Sequence, residues 1–135
     1  MSKQINIYYI ERAISIIAAV ILLQTLYFKF TAAPVSVHIF STLGIEPWGR
    51  IGSGVVELVS GILLFMPKTS LYGAILALGT MAGAIMAHLF FLGIEVQNDG
   101  GSLFLLAIIV TVCSLGLIFI KWNEVLNLSS KFIKL

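Results

Sequence analysis

Residues 48–66 read WGRIGSGVVELVSGILLFM, and this stretch decides the fold. At about 1.5 Å of rise per residue it is long enough to cross the ~30 Å hydrocarbon layer of a bilayer as a helix. Its only acidic residue, Glu57, stands near the centre, and its only basic residue, Arg50, stands near the edge. A carboxylate at that depth costs about 2.5–3.5 kcal/mol unless it is neutralised or paired. The rest of the chain must therefore supply a partner for Glu57.

The composition agrees with lipid as the solvent. Of 135 residues, 59% are hydrophobic and 10% charged, and the mean hydropathy is +1.07. A soluble domain carries about 25% charged residues, so there is too little polar surface here for a water-soluble fold. A net charge of +2 is too small to indicate nucleic acid as a partner. The single cysteine, Cys113, excludes an internal disulfide and a Cys-x-x-Cys redox pair, and reads as a small packing residue.

Apolar runs recur at 8–28, 48–66, 71–93 and 103–121. In lipid each must be helical, because every backbone group has to bond within its own segment. The first run is too long for the core of a signal peptide and is read as a retained span. Pro47 suits a first helical turn, and Pro67 stops the second span. Thr69 or Ser70 can cap the third span, and 98–102 is a turn that caps the fourth. The connections are short, so the expectation is an all-α membrane protein: one antiparallel four-helix transmembrane bundle in a single domain, 1–135. The connection 30–47 is expected to contain a short helix at 35–43, lying on the outer surface or folding back over the bundle mouth. The tail 122–135 reads as a cytoplasmic interfacial helix, with an ordinary solvated tail as the simpler alternative.

Lys3, Arg12, Lys68, Lys121, Lys131 and Lys134 share one end of such a bundle, against Lys29 and Arg50 at the other. The positive-inside rule then places both termini in the cytoplasm. Glu11 and Arg12 read as topology-setting charges at the cytoplasmic edge. The Asn127-Leu128-Ser129 triplet, a glycosylation sequon elsewhere, would lie on that side too.

Small residues repeat at helical spacing around the carboxylate, at Gly49, Ser53, Glu57 and Gly61. They allow close approach of another helix and turn Glu57 inward. Thr80, Ala84 and His88 form a similar row in the third span, beside Gly79, Gly83 and Ala87. The first span carries a polar stripe at Glu11, Ser15, Thr25 and Lys29. Glu57 then lies roughly 13 Å from the outer edge and His88 roughly 25 Å from the inner one. Lys29 and Arg50 are expected to reach toward Glu57 with their long stems. The candidate site is thus Glu57 and His88 as proton-handling groups, with Lys29, Arg50, Ser53 and Thr80 as ligand-binding groups. The simpler reading is an ion pair of Glu57 with Arg50 or Lys29 that sets helix register, with His88 bonded to a neighbouring hydroxyl or carbonyl. No metal-ligand spacing, phosphate loop or nucleophile elbow occurs, and His38 reads as a solvated loop residue.

The order Tyr27-Phe28-Lys29-Phe30, Leu43-Gly44-Ile45-Glu46-Pro47, Arg50-Ile51-Gly52, Glu57-Leu58-Val59-Ser60-Gly61-Ile62-Leu63-Leu64 and Ala84 to His88 resembles the DoxX family of small four-span bacterial membrane proteins. The likeness covers about 8–121. The family's lysine after the first span falls on Lys29 and its histidine of the third span on His88. Its Glu-Leu-x-Gly-Gly-Leu-Leu signature falls on Glu57 onward, with Ser60 at the first glycine. The resemblance implies a subunit in the bacterial inner membrane, near quinone chemistry, alongside a protein partner or a second copy. The expectation is a redox accessory subunit with quinone as the ligand or cofactor, or else a non-catalytic assembly subunit. A transporter fits less well, because no broken helix or inverted repeat is visible.

Overall fold

The computed structural model describes residues 1–134; Leu135, the last residue of the expected tail, lies outside them. Among the described residues all regular structure is helical: α1 (Ser2–Phe30), α2 (Pro34–Thr42), α3 (Trp48–Phe65), α4 (Ser70–Ala87), a π-helical turn (His88–Leu92), α5 (Ser102–Ile120) and α6 (Trp122–Ile133). Four of these stretches, Ser2–Phe30, Trp48–Phe65, Ser70–Leu92 and Ser102–Ile120, are long and apolar enough to cross a membrane.

The boundaries follow from local chemistry. No glycine or proline interrupts 1–30, so α1 begins six residues before the expected span and runs for 29 residues. Pro34 starts α2, and Gly44, at φ +75°, turns the chain after it. The third span does not stay α-helical to its end. At His88 the helix widens into a π turn, closed by the Gly93 N–H donating to the His88 carbonyl at 2.8 Å. Gly93 sits at φ +80° and ψ 172°, a conformation only glycine adopts freely. Asp99 builds the next turn. Its Oδ1 accepts from the N–H groups of Val96 and Gly101, and its Oδ2 from that of Leu103 at the start of α5. Neither Thr69 nor Ser70 caps α4. Thr69 instead donates back to the Leu63 carbonyl of α3, and Ser70 donates to Glu11.

The long helices close into a ring in which α1 packs on α3 and α5, and α4 packs on the same two. Two arginines fix α1 antiparallel to α3: Arg12 donates to the Leu64 carbonyl at 2.8 Å, and Arg50 donates to the Lys29 carbonyl. Small residues bring the backbones together. A Cβ on Gly73 would sit 2.7 Å from the Leu64 nitrogen and 2.9 Å from the Ser60 oxygen, so α3 and α4 touch main chain to main chain there. Ala18, Ala19, Leu22, Leu64, Ala74 and Val110 fill the interior. Outward, the same helices expose Ile17, Val20, Val55, Ile62, Met86, Leu105 and Val112. A belt of bare aliphatic side chains around a polar-seamed interior suits lipid and not water.

The tail helix α6 has no buried residue. Ser2, the α3–α4 turn and α6 mark the terminal end of the bundle, and α2 marks the opposite, loop end.

Candidate functional site

Glu57 lies midway along α3 and is 3% exposed. Its carboxylate is ion-paired with the Lys29 ammonium from the last turn of α1. The Thr25 hydroxyl, one turn below Lys29, lies 3.1 Å from Oε2 of Glu57 and 2.7 Å from the Leu22 carbonyl. One hydroxyl proton serves one of these acceptors at a time. Facing an ionised Glu57, Thr25 can donate to it. Facing a protonated Glu57, the same oxygen can accept while its own proton turns to Leu22. Thr25 thus satisfies the carboxyl group in both protonation states. Above the pair, the Phe40 ring of α2 has its centroid 5.9 Å from the Lys29 nitrogen.

Arg50 does not join this group, contrary to the expectation. Its Nε donates to Oε1 of Glu46 at 2.8 Å, and its Nη1 holds the Lys29 carbonyl. At 7% exposure the guanidinium takes the nearest carboxylate, one turn back in sequence, and locks the end of α1. Its reach to Glu57 is superseded by Lys29. The sequence signal was the four-residue spacing of Glu46 and Arg50.

His88 is 5% exposed, at the start of the π turn. Its Nδ1 lies 2.8 Å from the Gly93 carbonyl. A carbonyl only accepts, so Nδ1 carries the proton and Nε2 is the basic nitrogen. The ring packs edge-on against Phe104 at 5.5 Å. Ser53 and Thr80 both donate to carbonyls of their own helix, Arg50 and Leu76. Toward any further group they offer only lone pairs.

Lys29, Glu57, His88, Ser53 and Thr80 line one cavity of about 630 Å³, and Arg50 does not. Its walls come from all four long helices, with α2 across the loop end, and are mostly apolar: Leu22, Phe40, Met81 and Leu106 are typical. Exposed Gln24, Phe28 and Gly83 belong to the lining, so the cavity communicates with the flanks of the bundle. Asp99 also lines it, a residue sequence reading assigned only to a turn. Burial opposes its ionisation, but the N–H groups of Val96, Gly101 and Leu103, with the nearby His88, outweigh this and hold the carboxyl below its ordinary range. The Asp-Gly turn ahead of a span was the available signal.

A second polar cluster occupies the terminal end. Glu11, expected as a topology-setting charge at the cytoplasmic edge, is 5% exposed. It accepts from Ser70 at 2.8 Å and Ser15 at 3.2 Å, with Lys121 at 3.9 Å and Arg12 at 3.7 Å. Lys121 also donates to the Pro67 carbonyl at 3.0 Å. The signal was periodic: Glu11 and Ser15 continue the inward stripe of α1. His38 stands exposed on α2.

No family model, curated protein or solved structure matches the chain.

Proposed function

We propose that the chain is an integral membrane subunit that binds an amphipathic, quinone-like molecule or a small anion in the cavity walled by Lys29, Glu57 and His88. The observation that carries this reading is the Lys29–Glu57 ion pair set in the wall of a mostly apolar chamber of about 630 Å³. Ligand sites combine this kind of apolar volume with a few convergent polar groups. A quinone head fits the available donors. The Lys29 ammonium can donate to a carbonyl oxygen, and Nε2 of His88 can accept from a hydroxyl. The exposed Phe28 and Gly83 leave room for an apolar tail at the flank. A bound quinone supplies two-electron, two-proton redox chemistry, and its electrons come from a partner protein. The chain's own groups position the head and handle protons at Glu57 and His88.

The bundle is read as four antiparallel spans of a bacterial inner membrane. The basic residues Arg12, Lys68, Lys121 and Lys131 at the terminal end support a cytoplasmic placement of both termini. The likeness of Lys29, the Glu57 stretch and His88 to the DoxX pattern supports the redox-associated role.

A second reading is a non-catalytic assembly subunit. It is favoured by the completeness of the Lys29–Glu57 pair and by the bare face of α6. One experiment separates the two: solvent extraction of the purified protein for bound quinone, then titration with added quinone, for wild type, Glu57→Gln and His88→Ala. Quinone bound by wild type and weakened in the variants supports the ligand site. Folded wild type that takes up none leaves the assembly role.

A further inference from the structure

Between the Glu11 cluster and Glu57 the interior is not wholly apolar. Ser15 of α1, Ser60 of α3 and Ser114 of α5 are each 0% exposed. Ser60 lies one turn from Glu57 toward the terminal end, about 4.5 Å of rise. Ser15 lies one turn from Glu11 on the same face and bonds to it. Ser114 precedes Lys121 by two turns, about 10 Å, which brings it near the level of Ser60.

Among the described residues the hydroxyls of Ser60 and Ser114 have no hydrogen-bond partner, and neither do Nε and Nη1 of Arg12 beside Glu11. Ser53, Thr80 and Thr111 on the same helices return their protons to carbonyls of their own turns. Ser60 and Ser114 do not, although their helices offer the same carbonyls. Buried hydroxyls left free in this way are regularly satisfied by internal water.

We propose that Ser15, Ser60 and Ser114, bridged by internal water, form a proton relay joining Glu11 at the terminal end to Glu57 at the cavity. Each step breaks one O–H bond and makes another. One proton enters beside Glu11 as one leaves Glu57, and the charge moved is balanced by a counter-ion in the bulk phases. Glu11 offsets the two cations, Arg12 and Lys121, that would otherwise repel a proton at the entrance. At the far end Thr25 accepts from protonated Glu57, and the cavity continues to the exposed Ile45 and Ser102 at the loop end. The relay shares Glu57 with the ligand-binding reading, but its test contains no ligand, so the two fail separately.

The test is proton flux into liposomes holding purified wild-type protein and an internal pH dye, driven by a potassium gradient with valinomycin. Wild type should acidify the lumen faster than protein-free vesicles. Ser60→Ala/Ser114→Ala should cut that flux at least about tenfold, the scale of a positioned proton-transfer group. Thr111→Ala, which removes a hydroxyl already committed to its own helix, should not. Thermal unfolding gives a second readout. Alanine at dry, unpartnered hydroxyls raises the melting temperature, whereas alanine at water-holding hydroxyls leaves it equal or lower. Wild-type flux at the protein-free level, undiminished flux in the double variant, or a double variant of raised melting temperature each overturns the relay.

Discussion

Arg12 and Arg50 hold the same two helices from opposite ends. Arg12, on α1, donates to the Leu64 carbonyl of α3, and Arg50, on α3, donates to the Lys29 carbonyl of α1. Each spends its charge on structure; Arg50 also hydrogen-bonds a carboxylate, Glu46, at 2.8 Å, whereas Arg12 meets Glu11 at 3.7 Å. Arg50→Ala should therefore cost about 3–5 kcal/mol, because it strands a half-buried carboxylate and frees the end of α1. Glu46→Gln in the same background should recover much of the loss. Unfolding of the detergent-solubilised protein measures both, and an Arg50→Ala protein as stable as wild type would contradict the clasp.

The Lys29–Glu57 pair gives a double-mutant cycle. Lys29→Met leaves an anion in an apolar wall and should destabilise by about 3–5 kcal/mol. Glu57→Gln/Lys29→Met removes both charges and should approach wild-type stability. Additive single effects would mean that the two groups do not interact.

Asp99 sets an acid limit on the turn before α5. Its carboxyl titrates below its ordinary value of 3.8 in the folded protein. The stability it contributes is thus full above that value and is lost as pH falls through the lower folded value. Asp99→Asn should flatten the stability curve in that acid window. At neutral pH it should cost about 0.5–2 kcal/mol, the range for a lost helix cap. Acid titration of unfolding for both proteins checks the sign.

Glycines in α3 and α4 should respond by position. Gly73→Ala drives a methyl into the Leu64 nitrogen and Ser60 oxygen, main-chain atoms that cannot step aside, and should cost about 1–3 kcal/mol. Gly61→Ala meets only the Leu23 side chain and should cost less. Gly79→Ala has open space and should be neutral or stabilising through helix propensity. A flat response across all three would remove the close contact of α3 with α4.

Much of the fold was legible because lipid imposes one rule on every segment. Apolar length sets the spans, and proline and glycine set their ends. The inward rows also followed from spacing, since Glu57, Ser53, Thr80 and His88 do line one cavity. Less legible was the choice among partners. Arg50 and Lys29 were both in reach of Glu57, and the decision came from Glu46, which claims Arg50 through a contact one turn long. Glu11 illustrates the opposite limit. A charge near a span end looks solvated in one dimension, and only the packing of α4 and the end of α5 around it buries it. The π turn at His88 carries a ring-to-carbonyl bond with Gly93 that no periodicity announces.

The placement of Thr25 has a consequence for how this molecule responds to voltage or acidity. Because one hydroxyl accommodates Glu57 charged or uncharged, neutralising that acid strands nothing on α1 except the ammonium of Lys29. The moving part of any such event is one supple four-carbon arm beneath the Phe40 ring. The helices can stay at rest while the chamber passes from neutral to singly positive.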